Sequence, residues 1–219
     1  MRTEFPPAAH DDDNFDTFGT DAARSAIGRF RSPLTRMLLG SDGLTTTLLE
    51  SWAGTPMRVG DVTLRVVRPE LAPRGVVALL GTEGEVLVRH STLTDARGRT
   101  WSWNRVVAGP GGDPALRRCL TDASAPLGPA LRAAGARLGR TVVRAGLTPW
   151  PPEPGAEPGT EPRPASRESG AEARPDSRAE EPRAAAFRTY RLWSGDDVLA
   201  AVHEVFNPAH VPADLGETA

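Results

Sequence analysis

From position 151 to about 183 the chain consists of Pro, Gly, Ala, Glu and Arg with almost no large apolar residue, as in Pro151-Pro-Glu-Pro-Gly-Ala-Glu-Pro158. Nothing in such a stretch offsets the cost of ordering its backbone, roughly 1–2 kcal/mol per residue. Two runs with strand character follow, 187–193 and 198–206, joined by the turn Ser194-Gly195-Asp196. A two-stranded hairpin is too small to be a domain. It must therefore complete a core begun before the stretch. The expectation is one domain made of 21–150 and 184–212, interrupted by a disordered insertion at 151–183.

The remaining sequence fits one modest core. The 219 residues are 39% hydrophobic and only 5% aromatic, with 22 Gly and 21 Pro. Residues 1–20 are acidic and without periodicity and are expected to form a mobile tail; His10-Asp11-Asp12-Asp13 within them could hold a metal only loosely. Residues 213–219 are read as a second tail. The start of the chain has no cationic and apolar leader, and no apolar run is long enough to span a bilayer, so a soluble cytoplasmic protein is expected. A net charge of -2 gives no basic footprint for nucleic acid or membrane. Small molecules are the expected partners. All 26 basic residues are Arg, a bias read as coding preference. Cys119 is the single cysteine and is expected to be a small buried residue without a disulfide or metal role.

Periodicity predicts the elements. A helix begins at Asp21 and restarts at Ser32-Pro33, where a Ser cap precedes Pro at the first helical position; Gly40 stops it. Strands are expected at 44–52, 62–67, 75–80, 85–93 and 100–107, with Asp95-Ala-Arg-Gly98 turning the last two into an antiparallel hairpin. Short helices follow Asp113-Pro114 and Pro126-Leu127-Gly128, and 141–147 returns to strand. This order implies an α+β fold, an antiparallel β-sheet with helices packed on one face.

Two charges interrupt apolar strands. Glu204 lies in Val198-Leu-Ala-Ala-Val-His-Glu-Val-Phe206, where alternation leaves neither face solvated. Burying a carboxylate demands a raised pKa or an opposing cation. Arg89, in Glu85-Val-Leu-Val-Arg-His-Ser-Thr-Leu93, is the matching cation. Either the two neutralise each other as a buried ion pair, or they enter one cavity from opposite ends, Arg89 to grip a carboxylate and Glu204 to meet a hydroxyl or ether oxygen. His90 and His203 fall on the opposite strand faces and are discounted.

Four blocks, in order, resemble the chorismate pyruvate-lyase family, which makes 4-hydroxybenzoate. They are Ser32-Pro-Leu-Thr-Arg-Met37; Leu79-Leu80 with Val86-Leu-Val-Arg89; Trp101-Ser-Trp-Asn-Arg105-Val-Val, followed by Pro126-Leu127-Gly128; and Arg191-Leu-Trp-Ser-Gly195 leading to His203-Glu204-Val-Phe-Asn-Pro208. The chain departs from the family at Asn207, at Gly109-Pro-Gly-Gly112 and in the Pro-rich insertion. The resemblance implies a chorismate lyase-like (UTRA-like) fold and a metal- and cofactor-independent carbon–oxygen lyase. It further implies that Arg89 anchors the ring carboxylate and that Leu34, Leu127 and Gly128 contact substrate. Glu204, with a raised pKa, would assist the departing ether oxygen, and Arg105 would complete the anion field. Two alternatives stand beside this one. The first is a repurposed lyase-fold enzyme, such as a cyclase of a specialised pathway. The second is a stand-alone sensor resembling the effector domains of GntR-type regulators.

Overall fold

A computed structural model describes residues 20–109, 114–150 and 183–216. The segments expected to be an acidic tail and a disordered insertion lie outside the described residues, apart from Thr20 and Arg183 at their ends. So do 110–113, with the N-cap expected at Asp113, and 217–219.

Three helices come first: α1 (Asp21–Gly28), α2 (Pro33–Gly40) and α3 (Thr45–Ala53). Thr20 and Ser32 cap α1 and α2, their hydroxyls accepting from the Ala23 and Thr35 amides. Strand β1 (Met57–Val67) leads through a 3-10 turn (Pro69–Leu71) into the single-turn α4 (Arg74–Val77). The hairpin β2 (Val86–Asp95) and β3 (Thr100–Ala108) precedes α5 (Pro114–Thr121) and α6 (Leu127–Ala133). The chain finishes with β4 (Leu138–Trp150), β5 (Arg183–Ser194) and β6 (Asp197–Phe206).

The six strands among the described residues form one antiparallel sheet in the order β1-β2-β3-β6-β5-β4. The α+β class and the antiparallel sheet are as expected. The β5–β6 hairpin inserts its second strand against β3, so the last strand of the chain lies at the centre of the sheet. The ladder of β4 and β5 runs to the pair Trp150↔Arg183, so the intervening segment leaves and rejoins the sheet at adjacent positions.

Five helices cover one face of the sheet. Ala23, Leu116, Leu120 and Leu131 pack on Val106, Val142, Tyr190, Leu192 and Val202, while Leu38, Leu39 and Leu49 join Met57, Leu93, Ala186 and Phe206. The helices are not all on that face: Ala72 and Val76, before and within α4, pack with Val86, Val88, Val107 and Ala201 on the other. Residues 213–216, expected as tail, are docked instead. Phe30 and Leu215 form a β-bridge, and the Arg31 amide donates to the Asp214 carbonyl at 2.9 Å.

Two segments expected as strands are helical. Residues 44–52 carry three consecutive threonines, a β-branched signal, yet form α3 because Thr45, Thr46 and Leu49 lie together on a helical face against the sheet. Gly54 at φ 65 ends the helix in the left-handed conformation that glycine tolerates. Residues 75–80 form α4 and the turn after it, begun by Pro73. The turn at Asp95–Gly98 is as predicted: the Asp95 carboxylate accepts from the Arg97 and Arg99 amides, and Gly98 takes φ 76.

Candidate functional site

Register places the polar side chains. Across the sheet, Ser91 of β2, Asn104 of β3, Glu204 of β6 and Arg188 of β5 pair in one row, on the face covered by helices. Arg89, two residues before Ser91, lies on the same face and pairs with Val106. Above this row is a cavity of about 50 Å³ lined by Ser91, Asn104, Glu204, Arg140, Tyr190, Thr45, Leu127 and Gly128; Arg89 is not among the residues that line it.

Glu204 is 5% exposed and its partner is not Arg89. Arg188 Nε donates to Oε2 at 2.8 Å, Tyr190 Oη donates to Oε1 at 3.0 Å, and Thr45 Oγ1 lies 3.0 and 3.1 Å from the two oxygens. Thr45 in turn accepts from Arg188 Nη2 at 2.7 Å and Arg140 Nη1 at 3.4 Å. Arg188 also donates to the carbonyls of Leu38, Leu39 and Ser41, so it caps the carbonyl end of α2 as well as neutralising Glu204.

This network reverses the titration expected of Glu204. Burial pushes its pKa up, but the Arg188 and Arg140 guanidiniums, with the hydrogen bonds from Arg188 and Thr45, outweigh burial and hold it below the usual carboxylate range. The group is ionised at neutral pH, so it cannot serve as the proton donor expected from sequence. Burial dominates at Tyr190 and pushes its phenol up, so it donates as a neutral hydroxyl.

Arg89 is 1% exposed beneath the segment joining α5 to α6. Its guanidinium donates to the carbonyls of Cys119 at 3.4 Å and Ala125 at 3.2 Å, and its buried Nε has no acceptor. Ala125 immediately precedes Pro126, which lines the cavity. Arg140, 7% exposed, stacks 4.8 Å over Tyr190, donates to the Gly43 carbonyl and pairs with no carboxylate among the described residues.

Two expected contacts lie elsewhere. Arg105 points to the opposite sheet face, where its Nε donates to His90 Nε2 at 3.0 Å, because the strand period sends Asn104 and not Arg105 toward the helices. Leu34 packs into the cluster around Phe30, Leu38 and Leu49 rather than the cavity. The sequence reading missed Arg188, Tyr190, Arg140 and Thr45. For the first two the signal was present: Ala184-Ala-Ala-Phe-Arg-Thr-Tyr190 places a charge and a phenol two apart in an apolar strand, the pattern that singled out Glu204. Thr45 was hidden by the strand expected at 44–52.

Among the described residues no group of three or more His, Cys, Asp or Glu side chains could hold a metal, and no helix is long and apolar enough to cross a membrane. Comparison with protein-family models gives no match, and no curated protein matches. Among solved structures, a chain from Bordetella bronchiseptica described as the ligand-binding domain of a GntR-family transcriptional regulator is similar at a TM-score of 0.38 and 16% identity, over 75% of this chain and 92% of that one. Similarity of that size carries nothing about ligand or activity.

Proposed function

We propose that the cavity takes a small cyclic carboxylate with an oxygen at its far end, and that the ligand is chorismate, which loses pyruvate there to give 4-hydroxybenzoate. The observation that carries this reading is the orphaned Arg89 Nε: a buried guanidinium donor without an acceptor, held to the segment that runs into Pro126 of the cavity lining, on the same sheet face as the ionised carboxylate of Glu204. Arg89 and Glu204 stand on strands separated by β3 and are two residues out of line along them, so their backbones are roughly 12 Å apart by strand geometry. A para-substituted ring with a hydrogen bond at each end spans such a gap.

In this arrangement Arg89 receives the ring carboxylate, exchanging the Ala125 carbonyl for a charged acceptor. Glu204 accepts from the ring hydroxyl para to that carboxylate, fixing which way round the ring lies. Arg140, in place of Arg105, supplies positive charge for the enolpyruvyl carboxylate. The reaction breaks the ring C–O bond of the enolpyruvyl ether, and the hydrogen on the carbon bearing the hydroxyl passes to the methylene carbon of the departing enolpyruvate, which leaves as pyruvate while the ring becomes aromatic. Aromatisation drives it, so the site's task is to hold one conformer and exclude water. At about 50 Å³ the cavity holds only a few waters, whereas sites enclosing drug-sized ligands span about 300–1,000 Å³. Entry therefore requires the Ala125–Gly128 segment to lift, and the Arg89 hold on Ala125 is the bond to be exchanged.

Binding without turnover is the second reading, favoured by an acid that is already ionised and held by three side chains. The two separate in one experiment. Protein mixed with chorismate is followed for pyruvate and 4-hydroxybenzoate in equal amounts, and calorimetry measures 4-hydroxybenzoate binding to wild type and Arg89→Met. The lyase reading expects both products. It also expects binding weakened by about 10- to 100-fold in the variant, the worth of a hydrogen bond to a charged group. Binding with the same loss but no product supports the sensor. A folded protein showing neither product nor Arg89-dependent binding removes the proposal.

A further inference from the structure

The opposite face of the sheet carries a second polar row. Thr63 of β1, His90 of β2, Arg105 of β3, His203 of β6 and Thr189 of β5 pair in register. At the β1 end of this row a groove of about 510 Å³ opens between the sheet and the turn before α4. Its apolar wall is Val67, Leu71, Ala72, Pro73 and Val88; its polar lining is Asp61, Thr63, Arg65, His90 and Arg105, with Trp103 alongside.

Three features give the groove a chemical preference. The Arg105 guanidinium lies 4.9 Å from the Trp103 ring centroid, and His90 stacks on Trp103 at 5.2 Å, so the floor is a flat aromatic and guanidinium platform. Arg65 is exposed and makes no ion pair among the described residues. Asp61, in the bulge between Gly60 and Thr63, is the only non-glycine at positive φ (45) among the described residues, and among them it is also the only carboxylate that lines the groove. Arg65 is therefore the groove's exposed cation that no carboxylate among the described residues pairs. Its volume lies within the range of small-molecule sites.

We infer that this groove is a second binding site, separate from the cavity on the helical face, for a planar organic monoanion: an aromatic ring packs against the Trp103–His90 platform and the apolar wall while its carboxylate pairs with Arg65. The shape and the charge are both needed. A purely inorganic anion leaves the apolar wall wet, and a neutral aromatic leaves Arg65 unused.

Sodium benzoate is the probe, titrated calorimetrically at neutral pH into the full chain carrying Arg89→Met, in which binding at the cavity on the helical face is weakened, so that the response to changes at Arg65 and Asp61 reports the groove. Binding with a dissociation constant of about 1 mM or tighter is expected. Arg65→Ala, at an exposed position, should weaken it about tenfold. Asp61→Asn, which the left-handed backbone accommodates, should tighten it by removing the repelling charge. That gain cannot arise from misfolding. Benzyl alcohol, the neutral counterpart, should bind at least tenfold more weakly than benzoate. No benzoate binding at about 10 mM, or binding that neither Arg65→Ala nor Asp61→Asn alters, would overturn the assignment.

Discussion

Glu204 shows how a buried charge is read from sequence and where that reading stops. Its position in an apolar strand implied burial and a partner, and both are found; the partner is Arg188, directly opposite on the neighbouring strand, and not Arg89. Sequence separation gave no means of choosing between cations on different strands. The titration direction followed the choice, since two nearby guanidiniums turn an expected rise into a fall. His203, 4% exposed, is likewise driven down to about 3, first by burial and then by Arg105 and Arg144. Both groups have folded pKa values below their unfolded ones, so the unfolded chain binds protons first as pH falls and stability is lost toward acid. For His203 the window opens near the unfolded value of about 6.5 and closes at about 3; for Glu204 it opens in the ordinary carboxylate range and closes below it. The urea midpoint, measured from pH 7 to pH 5 at fixed ionic strength, should therefore fall. His203→Gln, which keeps a hydrogen-bonding partner for Thr189, should reduce the slope without abolishing it, because His90, at about 4, titrates in the same direction. An unchanged slope in the variant would contradict the buried neutral imidazole.

At the scale of elements, α3 is the difference that matters most for the site. Thr45-Thr-Thr-Leu-Leu reads as strand by residue type, and in a strand Thr45 and Thr47 would share a face. In the helix they diverge: Thr45 is buried in the Glu204 network and Thr47 is exposed. Thr45→Val should therefore cost about 1–3 kcal/mol by leaving Arg188 Nη2 and Glu204 short of a partner, whereas Thr47→Val should stay within about 0.5 kcal/mol. Equal effects in urea denaturation would restore the strand. The signals that favoured the helix were present but quieter: a glycine at the left-handed stop, Gly54, and burial at Thr45, Thr46 and Leu49, which fits a period near four and not two. By contrast the β2–β3 and β5–β6 hairpins were legible, because their turns carry Asp and Gly at the positions that demand them and their strands are rich in β-branched residues.

For the whole molecule, the decisive step is closure across the compositional break. Since β4 and β5 stay in register as far as Trp150↔Arg183, replacing 151–182 with Asn-Gly should preserve the sheet and raise the urea stability by up to about 2 kcal/mol from the shorter loop. Loss of the folded circular dichroism signal would show that the sheet depends on that segment. The sequence by itself determined the class of fold, the two hairpins, and the burial of Arg89 and Glu204. Each of these follows from local composition or from a period of two, which neighbours in the chain suffice to express. Only the tertiary structure decided strand order, the pairing of Glu204 with Arg188, the separation of Arg105 from the cavity and the helical state of α3. Those depend on which strands become neighbours, and hydrogen bonding between strands joins residues as far apart as Asn104 and Glu204 whose mutual distance no local pattern encodes.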